Sequence, residues 1–142
     1  MAATYEHEIS VAQADIDMQG HVNNLVYLRW MQDAAVAHSV AENWGKRRYE
    51  ELGCGWVVRA HSIEYLAPAF AEEKLVVRTW LSDYFTASVL RQYEIYRVCD
   101  KRILAKAETK WVLIDMVKRT PRRIPEEILS AFQLGPRGEA PV

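Results

Sequence analysis

The most constraining feature of the chain is a polar, glycine-containing loop that leads directly into a helical pattern. Residues 15–30 read Asp-Ile-Asp-Met-Gln-Gly-His-Val-Asn-Asn-Leu-Val-Tyr-Leu-Arg-Trp. Asp17 precedes a turn at Gly20, and Asn23 or Asn24 stands where the helical spacing begins. The first N–H groups of a helix lack intrahelical partners, and the helix dipole favours negative charge there. A carboxylate beside such a helix start indicates a site for chemistry on an electrophile.

A long helix is predicted immediately after this loop. Its apolar positions recur at helical spacing, and further apolar residues widen the face. The residues at this spacing are Leu25, Leu28, Met31 and Ala35, followed by the small residue Ser39. The residues that widen the face are Val26, Trp30 and Ala34. No Pro or Gly interrupts residues 25–44, which allows about five turns, and Gly45 is a plausible stop. The width of the apolar face predicts that the helix from Leu25 onward is mainly core, covered by other structure.

The rest of the chain is dominated by long runs with strand character. A short helix is expected over residues 46–52 and another from Pro125 to about Phe132. The strand-like runs are 5–12, 56–66, 74–82, 86–98 and 102–115. Runs this long exceed the usual strand of five or six residues. They predict an α+β fold in which a curved antiparallel sheet of about five to six strands wraps a long central helix. Residues 1–134 are interpreted as one domain and the Pro/Gly-rich residues 135–142 as a flexible tail.

Composition narrows the classes of function. The chain has 142 residues, of which 50% are hydrophobic, and a formal net charge of -1. That charge gives no reason to expect a nucleic-acid partner. No apolar run is long enough to span a bilayer. Cys54 and Cys99 lack metal spacing, and a reduced, cytoplasmic chain is favoured over a disulfide between them.

The stretch from Asp15 to Tyr27 resembles the signature of hotdog-fold thioesterases of the 4-hydroxybenzoyl-CoA thioesterase class. Acyl-CoA thioesterases associated with the Tol–Pal system and acyl-carrier-protein thioesterases share this pattern. Residues 56–69, which include Pro68, are similar to a strand and its closing proline in the same family. The resemblance covers Tyr5 to about Leu134. It implies a hotdog fold and a homodimer or homotetramer with active sites at the dimer interface.

The resemblance also implies roles for the residues of the loop. Asp17 takes the position of the nucleophile or general base, and the backbone N–H of Asn24 takes that of the donor that polarises the thioester carbonyl. His21 would orient water or act as an acid–base partner. Other readings remain open for these residues: Asp17 can cap a turn, Asn23 or Asn24 can cap the helix, and His21 can be hydrogen-bonded within the loop. Asp15 is expected to be structural.

Substrate-binding residues are less sharply indicated. Asn23 and Tyr27 are expected beside the substrate, and Gln19 occupies a position where some acyl-carrier-protein thioesterases have a catalytic Asn. A basic cluster follows the last strand and could hold the phosphates of coenzyme A, although a solvated charged surface explains it nearly as well. The cluster consists of Lys118, Arg119, Arg122 and Arg123. Arg59 and Arg91 lie on predicted strands, where they either contribute to this binding or pair with acids.

The functional hypotheses follow from these residues. Hydrolysis of acyl-CoA is favoured, with coenzyme A only as part of the substrate and no other cofactor. Residues 83–88 of the central hairpin carry no basic side chain, which keeps an acyl-carrier-protein substrate open. A non-catalytic acyl-binding protein is the alternative from another class. No metal is expected, because the spacing of Asp15, Asp17, His21 and His61 matches no strong ligand template.

Overall fold

The chain forms one antiparallel sheet with a long helix packed against it. The computed structural model describes residues 3–134. The strands are β1 (Thr4–Ser10), β2 (Cys54–Tyr65), β3 (Lys74–Tyr84), β4 (Ser88–Arg97) and β5 (Ile103–Asp115), and the helices are α1 (Asn24–Ala41), α2 (Lys46–Leu52) and α3 (Glu126–Ala131). The strand order is β1-β3-β4-β5-β2. The predicted α+β architecture is confirmed, with five strands, and the predicted tail at 135–142 lies outside the described residues.

Breaks in strand register give the sheet a reason to bend. The register shifts between Val58 and Ala60 on β2 and between Leu81 and Asp83 on β3. A third shift falls on β4 after Ile95. Such bulges bend a strand and increase its twist. Strands β1 and β2 are the two edges of the sheet, so β2 is paired on one side only, with β5.

Helix α1 buries one face and leaves another open. Tyr27, Trp30 and Met31 are buried in a core that includes residues from β3 and β4. Leu25 and Val36, however, are 72% and 62% exposed, and Val40 on the same side is 57% exposed. The prediction that the helix from Leu25 onward is mainly core is therefore wrong for this stripe. The apolar face of α1 is wider than the part that the described chain covers.

The end of α1 also differs from the prediction. The helix ends at Ala41, before Gly45. Asn43 adopts a left-handed conformation with φ 67°, which Asn tolerates better than most residues. The Trp44 N–H then donates to the Ser39 carbonyl at 2.7 Å, and the indole is buried. Gly45 instead precedes α2 as its N-cap.

A second core is formed by residues outside α1. It joins residues from α2, β5 and α3, among them Tyr49, Leu113 and Ile128. Cys54 is buried in this core and Cys99 is exposed, and both thiols are free, as the sequence predicts. Among the described helices, none combines the length and apolar character needed to cross a membrane.

Candidate active site

The loop before α1 is closed on itself by backbone hydrogen bonds. Ile16 and Val22 form an isolated antiparallel bridge. Inside it, the Asp17 N–H donates to the His21 carbonyl at 2.9 Å, and the Gly20 N–H donates to the Asp17 carbonyl at 3.1 Å. Gly20 has φ 86°, a region that residues with a Cβ adopt at a cost. Asp17 is consequently held at a fixed place in a tight turn.

The Asp17 carboxylate has one oriented oxygen and one open oxygen. Oδ1 accepts a hydrogen bond from the Gln19 N–H at 2.8 Å. Oδ2 has no hydrogen-bond partner within residues 3–134, and the residue is only half-buried. The contact with Gln19 is made by its backbone, so the Gln19 side chain is not needed to orient the acid. An open oxygen on an oriented carboxylate is available to attack a carbonyl or to accept a proton from water.

The start of α1 supplies a free backbone donor. Asn23 is the N-cap, and its Oδ1 accepts from the Leu25 N–H at 2.9 Å. The Asn24 N–H, by contrast, has no acceptor in the described part of the chain. The Asn24 carbonyl accepts a hydrogen bond at 3.0 Å from the hydroxyl of Tyr65, which lies at the last residue of β2. The helix therefore presents an unused N–H at its positive end.

Asp15 ties the loop to the helix. Its carboxylate is buried, with Oδ2 accepting from the Ala12 N–H at 3.0 Å and Oδ1 accepting from Arg29 at 2.8 Å. Burial by itself would raise the pKa of Asp15, but these two hydrogen bonds and the Arg29 charge lower it below the usual value. Its backbone carbonyl also accepts from the Asn23 N–H at 2.9 Å. These contacts are those of a structural acid, as expected.

His21 and Tyr27 occupy different settings. The half-buried His21 places Nδ1 3.5 Å from the Val22 carbonyl oxygen, a distance at the limit of a hydrogen bond. Tyr27 is buried, with its ring 5.2 Å from that of Trp30 and 5.1 Å from that of Tyr65. Burial raises the pKa of Tyr27, so its hydroxyl stays protonated at neutral pH. Tyr27 thus packs beneath the helix start.

The basic cluster lies far from Asp17 within one protomer. Met116, just before the cluster, donates its N–H to the Gly53 carbonyl at 3.0 Å, beside the first residues of β2. The helix start touches Tyr65 at the last residue of β2. Eleven residues of extended strand separate these ends by roughly 35 Å. The structure therefore does not bring the cluster to Asp17 in the same subunit.

The individual basic residues also differ in their contacts. Arg119 and Arg123 are exposed, and neither forms an ion pair with another described residue. Arg122 donates from Nη1 to the Leu52 carbonyl at 2.8 Å, at the end of α2. Arg59 is exposed at the bulge of β2. Within the predicted basic cluster, Arg119 and Arg123 are therefore free for a ligand near Cys54, where β2 begins.

A cavity of about 480 Å³ lies at the opposite end of α1 from Asp17. It opens between the last turns of α1, helix α2 and the first residues of β2. Its lining is mostly apolar and aromatic; the aromatic members are Trp44, Tyr49, Trp56, Trp111 and Phe132. Ala35, on its wall, is eleven residues beyond Asn24, or about 16 Å along the helix. The cavity is thus separate from the Asp17 loop of the same protomer, and the sequence did not predict it.

Arg91 lines this cavity and is 4% exposed. Its Nη1 donates to His38 Nδ1 at 2.9 Å and to Thr79 Oγ1 at 3.1 Å. Burial lowers the pKa of Arg91 to about 10, so the guanidinium remains charged at neutral pH. No carboxylate of the described chain forms an ion pair with it, so the alternative that Arg91 pairs with an acid of this chain is wrong. Its burial also keeps it from serving as a surface contact for phosphate.

Metal ligands do not gather in the described residues. Over residues 3–134, no group of three or more His, Cys, Asp or Glu side chains is arranged to hold a metal ion.

An antiparallel sheet, a long helix packed on it and an acid just before the N-terminus of that helix form the arrangement that the resemblance to hotdog thioesterases predicts. The family model for the thioesterase-like superfamily matches residues 11–132 of the chain. The chain belongs to this superfamily, and the resemblance identified from the sequence is confirmed.

Individual relatives agree with this assignment. The chain is 26% identical to the acyl-CoA thioesterase YbgC of Haemophilus influenzae, over 90% of this chain and 93% of that protein. It is also 26% identical to a chloroplastic acyl-acyl carrier protein thioesterase of Arabidopsis thaliana, over 93% of this chain and 69% of that protein. A 1,4-dihydroxy-2-naphthoyl-CoA thioesterase from Synechocystis shares the fold, with a TM-score of 0.85, 23% identity and coverage of 92% of this chain and 96% of that one.

Proposed function

We propose that the protein hydrolyses acyl-CoA thioesters, with Asp17 as nucleophile or general base and the Asn24 N–H as the oxyanion donor. The observation that carries the proposal is the free Asn24 N–H at the start of α1, beside a loop that holds Asp17 with one carboxylate oxygen open. The similarity to the acyl-CoA thioesterase of Haemophilus influenzae and to an acyl-CoA thioester hydrolase of Escherichia coli supports this substrate class.

This arrangement supports two courses of the reaction, one by general-base catalysis and one by nucleophilic catalysis. In one, Asp17 takes a proton from water, the water oxygen bonds to the carbonyl carbon, and the Asn24 N–H holds the resulting oxyanion. The carbon–sulfur bond then breaks, and the coenzyme A thiolate leaves and takes up a proton. In the other, a carboxylate oxygen of Asp17 bonds to the carbonyl carbon, and the carbon–sulfur bond then breaks, which releases the thiolate to take up a proton and leaves a mixed anhydride on Asp17. Water hydrolyses this anhydride to the free acid and restores the Asp17 carboxylate. His21 lies in the same loop, and its proposed role is to orient the water.

The test is hydrolysis of a panel of acyl-CoA thioesters, followed by a reagent for free thiols. We expect turnover by the wild-type chain and a loss of at least about a hundredfold in kcat for Asp17→Asn. Asp33→Asn is a matched control, because Asp33 is an exposed acid on α1 without a role in the loop. Full activity of Asp17→Asn would remove Asp17 from the mechanism, and binding without turnover by the wild type would favour a non-catalytic acyl-binding protein.

An acyl-carrier-protein substrate is a second candidate, favoured by the relative from Arabidopsis thaliana. The central hairpin agrees with it, since residues 83–88 carry no basic side chain. The same acyl chain should be offered on coenzyme A and on a carrier protein. A strong preference of kcat/KM for the coenzyme A form would exclude the second candidate.

We further propose a homodimer, or a homotetramer built from such dimers, formed through β2. The free edge of this twelve-residue strand offers unpaired backbone groups to another strand. The exposed stripe of Leu25, Val36 and Val40 on α1 supplies apolar area beside it. A two-fold axis pairs identical edges antiparallel, which brings the Tyr65 end of one β2 to the Cys54 end of the other.

This assembly explains why the predicted site residues are divided within one chain. Asp17 of one protomer would then lie near the cavity and the exposed Arg119 and Arg123 of its partner, where the coenzyme A phosphates can bind. The cytoplasm is the proposed location, which the free thiols of Cys54 and Cys99 support.

A further inference from the structure

The buried charge of Arg91 sets it apart from the other arginines that sit on the sheet. Arg97, on the same strand, pairs with Glu73 at 3.2 Å and with Asp100 at 2.9 Å. Arg78 pairs with Glu6 at 3.1 Å. Arg91 is the more deeply buried of the three, and its hydrogen-bond partners in the described chain are neutral.

A charge in this position is costly without an anion. Removing a guanidinium from water carries a large penalty that neutral partners offset only in part. His38 cannot supply negative charge, because its imidazole is either neutral or positively charged. Glu50 also lines the cavity, but it is exposed on α2 and forms no ion pair with Arg91. Lys46, which also lines the cavity from α2, is itself a cation. The cavity wall therefore holds one buried positive charge that is not neutralised.

Other groups on the cavity wall also lack partners. Trp44 Nε1 and Trp111 Nε1 are buried and have no hydrogen-bond acceptor within residues 3–134. Both are donors only, like the guanidinium of Arg91. Because these two atoms are buried, the surface that a ligand meets is mostly apolar and aromatic, with Arg91 in its wall, and the cavity has the volume of an ordinary small-molecule site.

We propose that this cavity binds a compact apolar or aromatic acyl group whose far end bears an anionic oxygen, and that Arg91 pairs with that oxygen. The free acid with a single carboxylate binds in the same way, with its carboxylate on Arg91. The identity of the ligand as the acyl part of a thioester rests on the proposed function, whereas binding of an anionic apolar ligand does not. Arg91 is then a specificity-determining residue.

Binding of free acids to the intact protein tests this directly. Naphthoate and naphthamide have nearly the same shape and differ in charge, and octanoate and octanamide form an aliphatic pair. Quenching of tryptophan fluorescence reports on the site, because Trp44, Trp56 and Trp111 line it, and calorimetry gives the Kd. We expect each acid to bind at least about tenfold more tightly than its amide, which is the usual gain from a buried hydrogen bond to a charged group.

Three variants locate the effect. Arg91→Met should reduce the acid-to-amide ratio to about one, since it removes the charge and keeps an apolar side chain of comparable length. Arg91→Lys should retain part of the preference. Arg97→Met is the matched control on the same strand and should leave the ratio unchanged, because its acids lie outside the cavity. Circular dichroism and Tm confirm that each variant is folded.

A further variant keeps the test decisive if Arg91→Met does not fold. Ala35→Phe places a ring in the cavity from α1 and should abolish binding of acid and amide alike. Equal affinity of acid and amide in the wild type would overturn the proposal, as would a ratio unchanged in folded Arg91→Met or acid binding undiminished in Ala35→Phe.

The binding experiments test the cavity independently of the hydrolysis experiments that test the proposed function. Arg91-dependent binding of acids by a protein that hydrolyses no thioester would refute the hydrolase and leave the cavity assignment standing. Hydrolysis dependent on Asp17, together with no preference for acids, would refute only the assignment of the cavity.

Discussion

At the scale of single residues, the environment of His38 decides its protonation. The imidazole is 1% exposed, and its ring lies 5.3 Å from that of Tyr5 and 5.0 Å from that of Phe132. Burial, and then the charge of Arg91, lower the pKa of His38 to about 4. Since Arg91 donates to Nδ1, the proton of the neutral ring is on Nε2. His38 is thus a neutral acceptor for Arg91 at physiological pH.

This pKa predicts how stability depends on pH. Between pH 6.5 and about 4 the unfolded chain binds a proton at His38 and the folded chain does not. The free energy of unfolding therefore falls as the pH is lowered through this window, by about 3 kcal/mol at most, and His38 contributes no slope above it. Urea denaturation followed by circular dichroism at several pH values measures the slope.

Two substitutions test the assignment of that slope. His38→Gln keeps a hydrogen-bond acceptor for Arg91 without a titrating group, so we expect a flatter pH dependence. Burial also lowers the pKa of His61, and His61→Gln measures its contribution, which has the same sign. An unchanged slope in His38→Gln would show that His38 is not the titrating group. The lowered pKa of Asp15 acts at lower pH and does not enter this window.

Sequence reasoning was strongest where one residue determines its own surroundings. Asn23 caps α1 through its own side chain, and Asp15 bonds a backbone group three residues away, so both roles follow from local rules. Arg91 is the opposite case. It falls on the same alternating face as Val89, Tyr93 and Ile95, a signal that it points inward, but its partner His38 is 53 positions away in sequence. Such a pair becomes visible only in the folded chain.

At the scale of elements, the N-terminus of α1 combines a structural and a proposed chemical role. The side chain of Asn23 satisfies the Leu25 N–H, and the Asn24 N–H is left for a ligand. The start of this helix was predictable because a change of hydrophobic period coincides with capping residues. Its end was not, because Asn43 turns the chain to bury Trp44, and that contact is with residues distant in sequence.

A proline tests the Asn24 donor without removing the helix. Proline is tolerated at the first position of a helix, and Asn23 before it already has extended backbone, with φ -61° and ψ 134°. Asn24→Pro therefore removes the N–H while the helix can persist. We expect kcat to fall by roughly a hundredfold or more, as for loss of one oxyanion donor.

Asn24→Ala is the matched control for that experiment, because it keeps the N–H and removes only the side chain. Its kcat is expected to stay within about tenfold of wild type, well above that of Asn24→Pro. Far-ultraviolet circular dichroism checks that α1 is retained in both variants. Equal losses in the two variants would assign the role to the side chain of Asn24, and wild-type activity in Asn24→Pro would remove the donor from the mechanism.

At the scale of the whole molecule, β2 is an edge strand and α1 exposes an apolar stripe within the described chain. The two-residue alternation of side chains along β3, β4 and β5 predicted the sheet, because it reflects which side chains are buried within the chain. The exposed Leu25, Val36 and Val40 could not be distinguished from core residues, because helical spacing marks an apolar face whatever covers it. The 16.4 kDa chain is accordingly expected to elute at twice or four times its mass in light-scattering chromatography.

The proposed antiparallel pairing of β2 predicts that each active site is shared between protomers. Asp17 of one chain and the cavity of its partner would form one site, so the two defects Asp17→Asn and Ala35→Phe can be placed on different chains. A mixed dimer then contains one site with both defects and one intact site. After random exchange between the two inactive proteins, half of the dimers are mixed, and about a quarter of wild-type activity is expected.

The experiment is done by coexpressing the two variants with different affinity tags and assaying the doubly purified dimer. That dimer should show about half of the wild-type kcat per dimer, whereas each variant alone shows almost none. A dimer carrying both substitutions on one chain and neither on the other is the control. If the sites are shared, this control dimer is inactive. One of its sites combines the Asp17→Asn defect with an intact cavity, and the other combines an intact Asp17 with a cavity that Ala35→Phe fills. If the control dimer is active and the mixed dimer is inactive, Asp17 and its cavity belong to the same protomer.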